Sequence, residues 1–415
     1  MRALRKPSPR HLVVVGAGLA GSQAVHAARD QGFAGRITLL GAEGVPPYDR
    51  PPLSKELFTR TAPAWLREEL GSDAAAADDV RLADPATGLE IGPDAVVVRT
   101  AGGEVSADAA VLATGARAVL PAGWAARTLH TYDDAARLRD DLRPGARLVV
   151  VGAGWIGAEV AGVAAAAGVA VTVVEAEDVP LAAAVGSVGS LTAPWYAAAG
   201  VRLLTGVGVT RVDHGPAGPV VRLADGTELA PDVVLVAVGA RPGTGWLAGA
   251  LPLAADGSVL VDAAWQVPAG RGRVAAVGDI ARRASPRHGS VPGGHWTAAL
   301  HGPAAALRTL LGPPAGPPTG AGPEADPAPY VFSTQLGHDL GLVGVPDPAD
   351  DVVLRGDPAG GGWSALWFAP GSDELRAVLA VDRPRDVGAA RRLFRGPTLP
   401  RLDRDAAADP GRPLR

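Results

Sequence analysis

The chain carries the same glycine pattern twice, each time directly after a run of β-branched residues. Gly16-Ala17-Gly18-Leu19-Ala20-Gly21 follows Leu12–Val15, and Gly152-Ala153-Gly154-Trp155-Ile156-Gly157 follows Arg147–Val151. A run suited to a helix and a second strand-like run come after each pattern. Strand, glycine turn, helix and strand in that order form a βαβ unit with parallel strands. The repeat therefore predicts two dinucleotide-binding units in one chain.

The glycines have separate physical tasks in such a turn. The first permits the tight turn, the second lets the backbone approach a pyrophosphate, and the third lets helix and strand pack closely. The helix N-terminus adds N–H donors and the positive end of its dipole. One such pattern is weak by itself, because an ordinary glycine-rich turn explains it about as well, but two copies in this context favour nucleotide binding. The predicted contacts at the two turns are Gly16, Gly18, Ala20, Gly21, Gly152, Gly154, Ile156 and Gly157.

An acidic residue follows the second strand of each unit. Glu43 is placed to accept hydrogen bonds from an adenosine ribose, although a solvated loop acid would look the same. Glu175 closes the second strand of the other unit, and Glu177 and Asp178 add negative charge. A carboxylate there binds a ribose 2′-hydroxyl and repels a 2′-phosphate. The second unit is therefore predicted to take NADH, with NADPH less favoured.

The chain contains no cysteine. A redox disulfide, a cysteine-ligated iron–sulfur cluster and a cysteine-ligated zinc are therefore excluded. Enzymes that work through a cysteine, such as disulfide reductases, peroxidases and cysteine-dependent oxidases, are excluded with them. Electron chemistry here has to use a bound organic cofactor or residues other than cysteine.

Composition narrows the class of protein further. A length of 415 residues predicts two or three domains, and a net charge of −4 gives no reason to expect nucleic acid or an anionic membrane as a partner. The basic start, Met1 to Arg10, leads into the first strand without a cleavage site and does not resemble a signal peptide. The histidines are scattered, so no metal site is predicted. A cytoplasmic protein is expected.

The second half of the chain has a change of character. The segment from Gly312 to Ala328 is almost entirely Gly, Pro, Ala and acidic residues and predicts a linker. Strand-like runs between Tyr330 and Phe394 then predict a third, mostly β domain. The tail from Asp403 to Arg415 is predicted to be mobile.

The most distinctive motif is Pro47-Tyr48-Asp49-Arg50-Pro51-Pro52-Leu53-Ser54-Lys55. With the glycine turns, it resembles the FAD-dependent NAD(P)H:ferredoxin reductases of oxygenase and cytochrome P450 systems, which are two-dinucleotide-binding-domain flavoproteins. The resemblance runs from about residue 11 to residue 395 and implies that Arg50 lies near the FAD phosphates and Lys55 beside the flavin ring. As a point charge, Lys55 could stabilise a reduced, anionic flavin, or it could be an exposed lysine at a helix start.

Further matches follow in the order of that family. Thr114 and Gly115 resemble the segment where the chain leaves the flavin domain, and Asp279 resembles the acid that holds the ribityl chain, although it could instead cap a helix. His295-Trp296 resembles a pair whose Trp backbone lies by the flavin. Glu159 corresponds to an acid near the nicotinamide, although a helical Glu is more often simply solvated or paired. The cofactor contacts that the resemblance adds are Arg50, Lys55, Thr114, Gly115, Gly239, Gly278, Asp279, His295 and Trp296.

The resemblance implies an α/β fold with two Rossmann-like domains, for FAD and NAD, and a smaller C-terminal α+β domain. The expected FAD-binding domain is discontinuous, residues 1–120 and 242–325, with an NAD(P)H-binding domain at 121–241 and a C-terminal reductase domain at 326–415. The implied activity takes a hydride from NADH onto FAD and passes single electrons to a [2Fe–2S] ferredoxin, held transiently by a monomer or homodimer. Lys55 and Glu159 are the expected catalytic residues, acting as electrostatic tuners.

The chain also departs from the family pattern. Ala42 and Gly294 stand where an acid is usual, and His130 aligns with a flavin-contacting arginine. Phe332-Ser333-Thr334-Gln335 replaces Trp-Ser-Asp-Gln at positions that face the flavin edge in the family. Two other functions therefore stay open. One is a stand-alone NADH-dependent flavin oxidase or reductase acting on oxygen, a quinone or a small substrate, and the other is a nucleotide-sensing interaction protein.

Overall fold

A computed structural model describes residues 9–215, 218–312 and 326–415. Most of the basic start of the chain and most of the predicted linker lie outside these ranges. The α-helices of the described residues are α1 Leu19–Asp30, α2 Pro52–Lys55, α3 Leu66–Leu70, α4 Tyr132–Asp141, α5 Trp155–Ala166, α6 Ala182–Val185, α7 Ala193–Ala198, α8 Trp296–Leu310, α9 Pro384–Leu393 and α10 Arg404–Ala408. Short 3-10 helices cover Ala74–Ala76, Gly186–Thr192, Gly245–Leu247, Pro268–Gly270 and Gly278–Ile280.

The strands group into parallel and antiparallel sheets. In chain order they are β1 His11–Val15, β2 Arg36–Leu40, β3 Tyr48–Asp49, β4 Ala64–Trp65, β5 Asp79–Arg81, β6 Ala86–Ile91, β7 Val96–Thr100, β8 Gly103–Ala107, β9 Ala109–Leu112, β10 Ala116–Ala118, β11 Arg147–Val151, β12 Ala170–Val174, β13 Arg202–Leu204, β14 Val209–Gly215, β15 Gly218–Leu223, β16 Glu228–Leu229, β17 Val233–Val236, β18 Ala240–Pro242, β19 Val259–Val261, β20 Val274–Ala276, β21 Ala281–Ser285, β22 Gly289–Val291, β23 Tyr330–Gln335, β24 His338–Gly344, β25 Asp351–Arg355, β26 Trp363–Phe368 and β27 Leu375–Val381.

The first glycine turn lies in a five-stranded parallel sheet of order β20-β9-β1-β2-β5. Strand β1 is apolar and almost fully buried, as expected for a strand covered on both faces. Helix α1 packs against α8, which comes from much later in the chain. Because β20 also comes from after the second unit, two separated segments build this sheet.

The second glycine turn lies in a four-stranded parallel sheet of order β13-β12-β11-β17. The chain passes from the first sheet to the second through β10 and returns through β18, and these two strands pair antiparallel with Ala116 opposite Pro242. The two parallel sheets are thus joined by one double crossing. The predicted α/β fold with two Rossmann-like units is confirmed.

The third part of the chain forms a five-stranded antiparallel sheet of order β23-β24-β27-β26-β25. One face packs on the segment that contains α6 and α7 of the second unit, through residues such as Trp195 and Trp363. The other face packs on α9 and α10, through residues such as Phe368 and Phe394. Both faces are therefore buried, and the sheet is held against the second unit.

The tail from Asp403 to Arg415, for which the sequence predicts mobility, lies packed against the third sheet. The segment contains α10, and its Leu414 is buried against the third sheet. Beneath it, the buried guanidinium of Arg355 donates to the carbonyl of Ala407 at 2.9 Å and to the carboxylate of Asp386 at 3.0 Å. A buried cation requires acceptors, and the tail carbonyls supply them. The contact with Arg355 could not be predicted from the polar sequence of the tail, because Arg355 lies far from the tail in the chain.

Within the described ranges, no helix has the length and apolar character needed to cross a membrane.

Candidate functional site at the two glycine turns

The first glycine turn leaves open space at one position only. A Cβ atom placed on Gly16 would lie 2.2 Å from the carbonyl oxygen of Ala113, and one on Gly21 would lie 1.7 Å from the carbonyl oxygen of Gly16. A Cβ on Gly18 would meet nothing within 4 Å. Gly18 caps α1 without any side-chain hydrogen bond. Free N–H donors and free space at a helix N-terminus fit the pyrophosphate of a dinucleotide.

The second turn repeats this geometry. A Cβ atom on Gly152 would lie 2.6 Å from the carbonyl oxygen of Ala237, and one on Gly157 would lie 2.0 Å from that of Gly152. Gly154 caps α5, again with no side-chain hydrogen bond. The side chain of Ile156 in the first turn of this helix is 44% exposed. An exposed apolar residue beside free N–H groups suits a ligand that has both a phosphate and a flat ring.

The side-chain oxygens of Glu175 are directed by the backbone. One oxygen accepts a hydrogen bond from the N–H of Ala153 at 2.6 Å, and the other accepts one from the N–H of Glu177 at 3.0 Å. The carboxylate is therefore held at the end of β12, directly over the second glycine turn. This is the position from which an acid selects a free ribose 2′-hydroxyl.

Glu43 and Arg50, which the sequence assigns to the same cofactor, form an ion pair. Arg50 Nη2 donates to Glu43 Oε1 at 2.5 Å, and the hydroxyl of Tyr48 donates to Glu43 Oε2 at 2.5 Å. Arg50 also donates to the carbonyl of His130 and lies over the Tyr48 ring at 5.2 Å. The sequence did not predict that the Tyr48 hydroxyl donates to Glu43, although Tyr48 belongs to the same distinctive motif as Arg50.

Lys55 and Glu159, separated widely in the chain, form an ion pair. Lys55 Nζ donates to Glu159 Oε1 at 2.5 Å, and Ser54 Oγ donates to Glu159 Oε2 at 2.5 Å. The hydroxyl of Ser333, in β23, also donates to Glu159 Oε1. Glu159 is only 3% exposed and Lys55 19%. A buried carboxylate is tolerated when a cation and further donors satisfy it, and here the donors come from α2 and from the third sheet.

The remaining predicted residues of the first unit, His295, Trp296 and Asp279, lie at or near the start of α8. His295 Nδ1 accepts from the N–H of Ala298 at 3.2 Å and so caps the helix, and burial lowers the pKa of this histidine to about 4. The indole N–H of Trp296 donates to Asp49 at 3.3 Å. Asp279 accepts from the N–H of Gly294 at 3.0 Å and caps no helix. Burial raises the pKa of Asp279, whereas the Gly294 N–H and the charge of Arg50 lower it.

Small residues bring these segments together. A Cβ atom on Gly278, which has φ +71°, would lie 2.9 Å from the Cβ of Ala20, so Asp279 directly follows a close contact with α1. At the double crossing, Thr114 Oγ1 donates to the carbonyl of Gly243 at 2.8 Å. Gly115 and Gly239 both have positive φ there, +64° and +111°. Thr114, Gly115 and Gly239 thus lie where the chain passes between the two sheets.

The described residues contain no group of three or more His, Cys, Asp or Glu side chains that could hold a metal ion.

Two family models match the chain. The model described as pyridine nucleotide-disulphide oxidoreductase matches residues 10–300, and the one described as reductase C-terminal matches residues 330–415. A probable ferredoxin reductase, CtmF, of Castellaniella defragrans is 34% identical, with 96% of each chain covered. The benzene 1,2-dioxygenase system ferredoxin–NAD(+) reductase subunit of Pseudomonas putida is 32% identical, with 92% of each chain covered.

A solved structure is similar over nearly the same length. It is the covalent putidaredoxin reductase–putidaredoxin complex, 28% identical, with a TM-score of 0.82 and 94% of each chain covered.

Proposed function

The chain belongs to the pyridine nucleotide-disulphide oxidoreductase family, and on that basis we propose that it oxidises NADH and passes the electrons through bound FAD to a ferredoxin. The proposal is supported by two relatives matched over almost their whole length, one named a probable ferredoxin reductase and the other the ferredoxin–NAD(+) reductase subunit of a benzene 1,2-dioxygenase system. It is also supported by the likeness to a reductase that was solved in complex with its redox partner.

The observation that carries the proposal is the Lys55–Glu159 pair. Lys55 ends α2, which lies between β2 and β5 of the first sheet, and Glu159 belongs to α5, which starts at the second glycine turn. The pair therefore lies where a ligand on the first turn and a ligand on the second would approach each other. Hydride transfer between two dinucleotides requires the two ligands to be held at near-attack distance.

The two glycine turns and the Lys55–Glu159 pair have separate roles in this proposal. Gly16, Gly18 and the N-terminus of α1 bind the FAD pyrophosphate, and the second turn with Glu175 binds NADH. Bound FAD supplies the redox chemistry, since a flavin accepts a hydride and releases electrons singly. Lys55 would supply a positive charge to stabilise a reduced, anionic flavin, and Glu159 holds that ammonium in position.

We propose the same domain division as the sequence suggested, namely 1–120 with 242–325, then 121–241, then 326–415. The return of β20 to the first sheet supports the discontinuous first domain. The β10–β18 crossing supports a boundary near residues 120 and 242.

The partner in this proposal is an acidic [2Fe–2S] ferredoxin that binds beside α9. Four arginines in and just after this helix are exposed, namely Arg385, Arg391, Arg392 and Arg395. The guanidinium of Arg391 lies 4.9 Å over the ring of Tyr330. The ring centroids of Tyr330 and Phe332 are 5.9 Å apart, and those of Phe332 and Trp296 are 6.3 Å apart. Trp296 lies in the first unit. Basic residues steer an acidic partner, and the complex is expected to weaken as salt increases.

The test is rapid-mixing reduction of the yellow purified protein by NADH and, separately, by NADPH. Cytochrome c reduction is then measured with and without an added [2Fe–2S] ferredoxin. Fast reduction by NADH together with ferredoxin-dependent cytochrome c reduction supports the proposal. Electron flow to oxygen at the same rate regardless of ferredoxin makes the protein an oxidase instead. A long-lived NADH complex with slow turnover and a change of oligomer indicates a nucleotide sensor.

A further inference from the structure

We propose that the C-terminal domain contributes a positioning residue to the redox site, because Ser333, oriented by Gln335, holds the carboxylate of Glu159 against Lys55. The inference rests on the proposed function, since it concerns the residues that hold Lys55 in place beside the flavin. It adds a second task to the C-terminal domain, beyond offering a surface to a partner.

The hydrogen bonds around Ser333 have a defined direction. Gln335 Nε2 donates to Ser333 Oγ at 3.0 Å, and Ser333 Oγ donates to Glu159 Oε1. Ser333 and Gln335 are almost completely buried. Because the hydroxyl oxygen accepts from the amide, its own proton is directed at the carboxylate. Each hydrogen bond in such a chain strengthens the next one.

Ser333 restrains Glu159 in a direction that the other donors do not. Ser54 and Lys55 are neighbours in α2, so their two bonds connect Glu159 to a single short helix. Ser333 lies in β23 and approaches the carboxylate from a different part of the fold. Contacts from both α2 and β23 thus hold the carboxylate from two sides and, through it, restrain the ammonium of Lys55.

The β23–β24 hairpin, which contains Ser333, packs closely on α5, which contains Glu159. The β23–β24 hairpin turns at Leu336, which has φ +51°. A Cβ atom on Gly162 of α5 would lie 2.8 Å from the backbone nitrogen of Leu336. Only a residue without a side chain allows this approach, and it sets the distance between β23 and α5. Ser333 is therefore presented to Glu159 by backbone packing rather than by a flexible loop.

A second residue of β23 also contacts the pair. The ring of Phe332 lies 5.2 Å from Lys55 Nζ, within the range of a cation–π contact. Two consecutive residues of the C-terminal domain thus contact the two partners of one ion pair, Phe332 the ammonium and Ser333 the carboxylate.

The experiment compares FAD-loaded wild-type protein with the Ser333→Ala variant, each also in a Glu159→Gln background. Two quantities are measured without any ferredoxin, namely the rate of anaerobic flavin reduction by NADH and the midpoint potential of the bound flavin. We expect Ser333→Ala to slow reduction about tenfold, equivalent to about 1.4 kcal/mol, and to make the potential more negative. In the Glu159→Gln background the same change should alter the rate by less than about twofold.

Ser364→Ala is the matched control. Ser364 is also a buried serine of the C-terminal sheet that donates to a carboxylate, that of Asp386 at 3.0 Å, but it lies away from the site. This variant should keep the wild-type rate and potential. Equal effects of Ser333→Ala in both backgrounds, or a loss of thermal stability with unchanged rate and potential, would overturn the inference.

Where Ser333→Ala does not retain FAD, Ser333→Cys is measured instead, because a thiol has nearly the same shape and is a weaker donor. Wild-type behaviour of that variant would also overturn the inference. Failure of the proposed function is distinguishable, since it would appear in the wild type as a protein that binds no FAD or is not reduced by NADH.

Discussion

The carboxylate of Glu175 accepts a 2.6 Å hydrogen bond from the backbone N–H of Ala153, inside the second glycine turn. The acid that we propose as the nucleotide-selecting residue is therefore connected directly to the glycine turn that we propose as the pyrophosphate site. In this proposal, nucleotide selection and pyrophosphate binding depend on the same short stretch of backbone.

We expect Glu175→Ala to lower kcat/KM for NADH by about ten- to a hundredfold, because hydrogen bonds from the ribose to a charged acceptor are lost. The value for NADPH should fall less or rise, since the repulsion of its 2′-phosphate is removed. Steady-state kinetics with both nucleotides give the ratio. Glu177→Ala, which removes an exposed neighbouring carboxylate, should leave that ratio nearly unchanged. An unchanged ratio in Glu175→Ala would show that selectivity lies elsewhere.

Gly18 and Gly21 should respond differently to the same substitution. Gly21→Ala places a Cβ atom 1.7 Å from a backbone oxygen, so we expect a large loss of thermal stability even in the protein without FAD. Gly18→Ala meets no protein atom within 4 Å, so the apo-protein should keep its melting temperature while FAD binding weakens. Differential scanning calorimetry and FAD titration measure the two effects. Wild-type FAD affinity in Gly18→Ala would contradict a pyrophosphate site at this turn.

Lys55 is expected to tolerate arginine poorly. Only two of the 39 Lys and Arg residues are lysines, Lys6 and Lys55, so the chain uses arginine almost everywhere else. An ammonium is a compact charge, whereas a guanidinium is wider and carries five donors that the site beside Glu159 would have to satisfy. We predict that Lys55→Arg slows flavin reduction by NADH about tenfold or more.

The control is an arginine-to-lysine substitution at an exposed position, which makes the opposite change of side chain away from the site. Arg36 forms an exposed pair with Asp79, so Arg36→Lys should change neither rate nor stability appreciably. Full activity of Lys55→Arg would mean that charge alone is required at this position.

Acidification should destabilise the protein through His295. Burial lowers the pKa of His295 to about 4, with the charge of Arg283 and the neighbouring His288 acting in the same direction. The unfolded chain binds the proton near its usual pKa of about 6.5, so more protons are bound in the unfolded state between pH 6.5 and 4. The free energy of unfolding therefore falls as pH decreases through this window, by about 3 kcal/mol at most from this residue.

His295→Asn tests this contribution, because asparagine keeps a cap for α8 and does not titrate. Urea unfolding at several pH values between 4 and 7 should show a shallower decrease for this variant than for the wild type. His214→Asn, at an exposed position, should retain the wild-type slope. Parallel curves for His295→Asn and wild type would contradict the assignment.

The sequence by itself determined the two glycine turns, the strands that precede them, and the acid at Glu175. These features depend on residues close together in the chain, since a βαβ turn is formed by one strand, one helix start and one following strand. The fold class followed from the same local patterns. The antiparallel third domain was also visible, because strand-like runs separated by turn residues are local signals.

Only the tertiary structure decided which residues meet. The contact of Ser333 with Glu159 and the burial of the tail over Arg355 join segments that no local pattern relates. Each of these groups is polar and can be hydrated on the surface of a protein. The residues around it in the sequence therefore do not indicate which partner it has in the fold. Packing of the three sheets removes water from them, and each must then be satisfied by whatever donor or acceptor the fold brings near.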